Sequence, residues 1–336
     1  MEQAQQLLDL LARAHLVQPA SAGRYGMHDL LRAYATYLAG LEDTEKERRA
    51  ALIGLFDHYL SAAAAAMDIL VPAETHRRPR VPPPGTPSPP VADSAAARAW
   101  LDAERVTLTT VCAHTASRGW PGHTTGLGTT LFRYLEGGGH YPDALTISIH
   151  ALHAARHTGD RAAEAHTLTN LGAITRPPST TSAPWPCSVR SATGPAKLTH
   201  GPTSATSTSG KAATSRPPSN HQQAIALFRE TGHQAGEVEA LNSVGETHHA
   251  TGALREASIQ HTAALTLATQ ISDRYELARA HNGLAHTHHG TGELDQARHH
   301  WRHALALYTD LGVPEADDVH AHMTALNQVA DDYNGD

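Results

Sequence analysis

Apolar and polar positions follow a helical period through most of this chain, and the pattern itself repeats. Ala297, Trp301, Ala304, Tyr308 and Leu311 fall at helical spacing and form one apolar stripe. "AIALFRETG" (224–232), "ALTLATQIS" (264–272) and "ALALYTDLG" (304–312) superpose at intervals of 40 residues, Ala224 over Ala264 over Ala304. A second register sets "ALNSVGETHHATG" (240–252) over "AHNGLAHTHHGTG" (280–292), with Asn242 above Asn282 and Gly252 above Gly292. Each unit therefore holds two helical stretches. The Thr-Gly pairs at 251–252 and 291–292 mark the tight turns between them, glycine supplying the positive φ that a helix stop often needs. An upstream unit reads from 141 to 174, where "TNLG" aligns with "NSVG" at 242–245.

A two-helix unit cannot bury its apolar face alone, so stacked neighbours must supply the core. The pattern resembles the tetratricopeptide repeats in a longer variant of about 40 residues, over 136–172 and 221–330. The resemblance implies a helical solenoid whose concave face holds a protein or peptide segment, or the protein's own regulatory parts. Asn242 and Asn282 are the expected protein-binding residues.

Between about 175 and 220 the pattern gives way to Pro, Ser, Thr and Gly. Gly159 and Gly232 each end a helix but stand 73 apart, where two periods need 80. The third base of each codon, read with the first two of the next across Ser191–Lys197, admits Gly-Asp-Arg-Ala-Gly-Glu. The intact repeats have "GDRAAE" at 159–164 and "GHQAGE" at 232–237. The junctions across Pro202–Ala205 admit Asn-Leu-Gly, matching Asn170-Leu171-Gly172, and those across Lys211–Thr214 admit Gly-Arg-Tyr. The segment therefore reads as a repeat translated in a shifted frame. As written it is expected to be disordered and to break the solenoid in two, stripping cover from Ala224, Leu227 and Phe228.

At the front, Leu7, Leu8 and Leu11 make a helical stripe, and "HLVQPASAGRYGMHD" reads as a β-hairpin. Asp29 is placed to cap a following helix that carries Leu30, Leu31, Tyr34 and Leu38. Met27-His28-Asp29, followed by Leu-Leu-Arg, resembles the motif that closes the winged-helix domain of NB-ARC/STAND signalling ATPases. The order of winged helix, helical spacer and repeats is similar to the C-terminal part of the antibiotic-regulatory (SARP-type) transcriptional regulators. "ARAWLDAERVTL" (97–108) is similar to their spacer motif. The resemblance implies ADP contact at His28. The phosphate-cradling G-x-x-x-x-G-K-[ST] loop is missing, however, because Gly210-Lys211 has no Gly five residues earlier and precedes Ala. No bound cofactor is expected.

The 26 basic and 33 acidic residues give a mildly acidic balance, which argues against a DNA-binding face. Two cysteines, Cys112 and Cys187, imply no disulfide framework. No run of about 20 apolar residues stands out as a membrane span, and the N-terminus lacks the basic region of a signal peptide. A cytoplasmic protein with no membrane partner is expected. Among many histidines, His299 and His303 are spaced i,i+4 and could share a metal, but no third ligand is fixed by spacing and no metal is expected. No nucleophile elbow or oxyanion-type Gly cluster surrounds any Ser, so catalytic residues are expected to be absent and the protein not an enzyme.

The fold expected is thus mainly α, a tetratricopeptide-type solenoid behind a small winged-helix remnant and a helical spacer. Its parts are a winged-helix remnant (1–43), helical spacer (44–72), Pro-rich linker (73–92), second spacer (93–135), first repeat (136–174), interrupted segment (175–220) and further repeats (221–332). The function expected is protein interaction, as the sensor part of a STAND-type transcriptional regulator without its ATPase. The alternative is a regulator that binds DNA through the winged helix.

Overall fold

The computed structural model describes residues 2–21, 24–79, 81, 91–175 and 219–334. Most of the Pro-rich linker and the interrupted segment, with the proposed frame shift and Cys187, lie outside the described residues. The described residues are mainly α, with thirteen α-helices and one two-stranded sheet. They fall into two units, one up to His58 and one from Tyr59 onward.

In the first unit, α1 (Glu2–Arg13) leads into an antiparallel hairpin of β1 (Gln18–Ser21) and β2 (Arg24–Gly26), then α2 (Asp29–Glu42). Gln18 pairs with Gly26 and Pro19 with Tyr25. The expected order of helix, hairpin and helix is therefore present. The cap of α2 is His28, not Asp29. His28 holds extended backbone angles and its Nδ1 accepts from the Leu30 amide at 3.3 Å, while Asp29 is the first helical residue and pairs with Arg32. The following helix α3 (Glu45–Leu70) opens on a reciprocal box, Thr44 N–H donating to Glu47 Oε2 and Glu47 N–H to Thr44 Oγ1.

α3 corrects one expectation. Its length of 26 residues and a window of mean hydropathy 1.3 meet the composition of a membrane span. Ala62, Ala63, Ala66 and Met67 are buried, while only 33% of that window is.

The second unit continues from α3 through a 3₁₀ turn, Pro72–Arg77, to α4 (Ser94–Arg118). Four helix pairs follow: α5 (Pro121–Gly137) with α6 (Tyr141–Thr158), α7 (Arg161–Ile174) with α8 (Asn220–Thr231), α9 (Gln234–Ala250) with α10 (Leu254–Ile271), and α11 (Arg274–Thr291) with α12 (Leu294–Leu311). α13 (Glu315–Asn334) closes the series. Each helix packs on the next, and the first helices also touch one another: α5 on α7, α7 on α9, α9 on α11. Left-handed residues stop the helices in register. Gly252 and Gly292 lie within pairs; Gly232, Ser272 and Gly312 end them. Gly139 and Gly159 play the same two parts for α5 and α6, so the series of pairs starts at Pro121 and not at 136.

The expected break is also corrected. α7 packs directly on α8, and Ala165 and Leu168 share one buried cluster with Ala224, Leu227 and Phe228. α8 thus pairs with α7 although the two are distant in sequence, because each presents the apolar stripe that a first or second helix presents elsewhere in the series.

Candidate interaction face

The first helices of the pairs carry a buried polar network. Asn242 on α9 donates from Nδ2 to the Glu276 carbonyl (3.1 Å) and to Glu276 Oε2 (2.6 Å) on α11, and its Oδ1 accepts from His261 Nδ1 (3.1 Å) on α10. Arg279 lies within the same core and binds Glu246 Oε1 (2.6 Å), Glu276 Oε1 (3.3 Å) and Ser243 Oγ (3.2 Å). Both acids act on Arg279 to hold its charge firmly, against the cost of burial. Burial pushes the His261 imidazole down to about 4, so the ring is neutral at pH 7. It sits in a notch between two glycines: a Cβ on Gly283 would fall 2.3 Å from the ring, and one on Gly245 2.6 Å. His221, 40 positions earlier, fits the same way against Gly172, at 2.4 Å.

These contacts correct the assignment of Asn242 and Asn282 to partner binding. Asn242 is fully buried, and Asn282 is spent on Trp301, whose Nε1 donates to its Oδ1 at 3.1 Å. Both side chains face neighbouring helices, where an amide can satisfy donors and acceptors that would otherwise be stranded. They hold helix to helix and offer nothing to a partner.

The surface that does receive a segment lies elsewhere, and sequence reasoning missed it. The 3₁₀ turn after α3, placed in the spacer and at the head of the linker, lies against α5 and against an apolar cluster built by α11, α12 and α13. Glu74 is buried, and its Oε1 accepts from Arg133 Nε at 2.9 Å and Nη2 at 2.8 Å on α5. Arg133 Nη2 also donates to the Tyr275 hydroxyl (3.2 Å) on α11, and that hydroxyl donates to Glu315 Oε1 (2.7 Å) on α13. Ala73 packs on the apolar cluster of Tyr275, Trp301, Tyr308 and Val319. Arg78 ties the far end back to α3, with Nε and Nη2 both on Asp68 Oδ1 and Nη2 also on the Val71 carbonyl. An acidic residue in a Pro-flanked stretch carries no sequence signal for such docking, because its partner Arg133 lies 59 positions away on another helix.

A second feature is an open groove of about 310 Å³ between α8, α9 and α10. Ile225, Leu241 and Val244 give it an apolar floor; Gln222, Arg229, His248 and Gln260 a polar rim. α8, which borders it, has 12 residues where α6, α10 and α12 have 18. In the next pair the extra turns of α10 cover the preceding helix's successor, Leu254 lying on Gly290. α8 starts at the capping box of Ser219 and Gln222.

The remaining candidates are quickly placed. His28 is an exposed helix cap at the start of α2. Cys112 is buried and its thiol is pushed up to about 12, so it stays protonated. His299 and His303 do approach, with ring centroids 4.7 Å apart, and His281 on α11 joins them at 5.0 Å from His303. Among the described residues no three His, Cys, Asp or Glu side chains converge on a point that could hold a metal ion. No family model and no curated protein matches the chain.

Proposed function

We propose that this protein is a non-catalytic interaction module, a tetratricopeptide-type solenoid that holds a protein segment along its first helices. The observation that carries the reading is the docked 3₁₀ turn: a short stretch of chain sets Glu74 on Arg133 of α5 and Ala73 on the apolar cluster built by α11, α12 and α13, as a bound peptide would. The helix stops in a 40-residue register and the ring-against-glycine packing support the repeat assignment. The resemblance around Met27-His28-Asp29 adds the larger context, the sensor part of a STAND-type transcriptional regulator acting in the cytoplasm without its ATPase. No catalytic, metal or nucleotide-dependent step belongs to it.

Selection of peptides from a random library against the purified chain tests this reading. Binders should protect amides of α5, α7, α9, α11 or α13, or of the α8–α10 groove, from hydrogen exchange. A library that yields no binder mapping to these helices refutes the module. The alternative is DNA binding by the first unit, favoured by its helix–hairpin–helix order. Against it, Arg13 is turned onto the Asp9 carbonyl and Arg32 onto Asp29 and the Met27 carbonyl. A gel shift that survives physiological salt would transfer the function to that unit.

A further inference from the structure

We infer that Ala73-Glu74 is an internal pseudoligand, and that the site it fills takes an acidic peptide from a protein partner, an acidic side chain following a small apolar one. The inference rests on the interaction-module reading and names its ligand class.

Three features of the contact point to a ligand-type interaction. First, the recognition is that of a carboxylate. Arg133 aims its Nε and Nη2 edge at Glu74, with both nitrogens within 2.9 Å of one oxygen, while Nη1 is occupied by Glu136 at 3.2 Å. A guanidinium edge held this way is preorganised, because its remaining donors are fixed on Glu136 and Tyr275. Second, the neighbouring subsite is apolar and shallow. Ala73 packs on a cluster that holds Tyr275, Trp301 and Tyr308, each of them buried. Third, the turn is tied back to its own helix end, Arg78 to Asp68 and the Val71 carbonyl, and Thr75 Oγ1 to the Pro72 carbonyl. The turn thus closes on itself and presents two consecutive side chains to a surface built by helices remote in sequence.

A segment tethered to its own site competes at the high effective concentration that a short connection gives. An outside peptide therefore binds with an apparent affinity reduced by the fraction of molecules whose site is empty. Removing the tethered acid should remove that penalty, which a purely structural contact would not show.

The experiment measures binding of a fluorescent Val-Pro-Ala-Glu-Thr peptide, the sequence of residues 71–75, to the full chain by anisotropy. The Glu74→Ala chain is expected to bind it at least tenfold more tightly than the unaltered chain. A peptide with Gln in place of Glu should lose that binding, as should the double variant Glu74→Ala, Arg133→Ala. Raising salt should weaken it, since the contact is an ion pair. If Glu74→Ala melts so low that binding cannot be read, the isosteric Glu74→Gln, which keeps the packing and drops the charge, replaces it. Equal affinity for the altered and unaltered chains, or no binding to any well-folded variant, overturns the pseudoligand. Library binders to α7, α9 and α11 would in that case leave the interaction module standing.

Discussion

The pairs α9/α10 and α11/α12 are the same structure built from different chemistry. In both, a ring on the second helix packs behind an Asn on the first, at positions 40 apart: His261 behind Asn242, Trp301 behind Asn282. Trp301 fills its place by bulk, with Ala285 on the facing helix, and needs one hydrogen bond. His261 is smaller and polar, and it is wedged between Gly245 and Gly283 and attached to a network that buries Glu276 and Arg279. The difference shows that the repeat constrains shape, a ring filling a gap between helices, and leaves polarity open. Polarity then has consequences, because a buried titratable ring and a buried ion pair respond to perturbations that Trp301 ignores.

The largest expected effect comes from the ion pair. Arg279→Ala removes the cation from between Glu246 and Glu276, and loss of one partner of a buried pair costs about 3–5 kcal/mol. Denaturant unfolding measures it, and a loss below about 1 kcal/mol would show that water reaches these carboxylates. The equivalent test in the other pair, Asn282→Ala, should cost about 1 kcal/mol, one neutral hydrogen bond.

Acid should separate the pairs next. His261 has its folded pKa near 4, below the ordinary 6.5, so the folded state resists its protonation and the unfolded state does not. Stability is full above pH 6.5 and falls as pH drops toward 4, by on the order of 3 kcal/mol from this ring. Half-buried His281 and His300, also pushed down to about 4, add to the fall in the same direction. Replacing His261 by Phe should flatten the profile between these pH values. An unchanged slope in that variant would assign the acid sensitivity to the other histidines.

Steric change should matter somewhat less. Gly283→Val puts a branched side chain where even a Cβ meets the His261 ring at 2.3 Å. The expected cost is about 1–3 kcal/mol, and much of it should vanish when His261 is also cut to Ala, since the two sites share one space. Additive losses would falsify the notch.

The smallest effect has the opposite sign. Ser272 ends α10 at φ 58, where the corresponding ends have Gly232 and Gly312. Ser272→Gly should stabilise by about 1 kcal/mol or less, the cost of a Cβ in the left-handed region. A melting temperature that falls instead would show the serine side chain holding the turn.

Much of this architecture could be read from the letters. The 40-residue register, the Thr-Gly turns at Gly252 and Gly292, and the stripe of Ala297, Trp301, Ala304 and Tyr308 all reappear as helix stops and buried side chains. Local rules carry such features, since a helix face and a positive φ are properties of a few neighbouring residues. The Asn pair was legible as recurring but not as buried. Recurrence fits a core amide as well as an exposed one, and only the facing Glu276 and Trp301 decide between them.

By itself, then, the sequence determined that the chain is mainly helical, where its helices stop, and that they come in pairs with one apolar stripe each. Tertiary structure alone decided which helices meet. α8 closes on α7 because any second helix with the right stripe can complete a first helix, whatever lies between them in the chain. It decided equally that Glu74 lands on Arg133, 59 positions away, and Arg133 on Tyr275, 142 positions further on. A charge has no preferred sequence distance to its partner; it pairs with whatever the packed helices bring within reach, and that is fixed only once their apolar faces have docked.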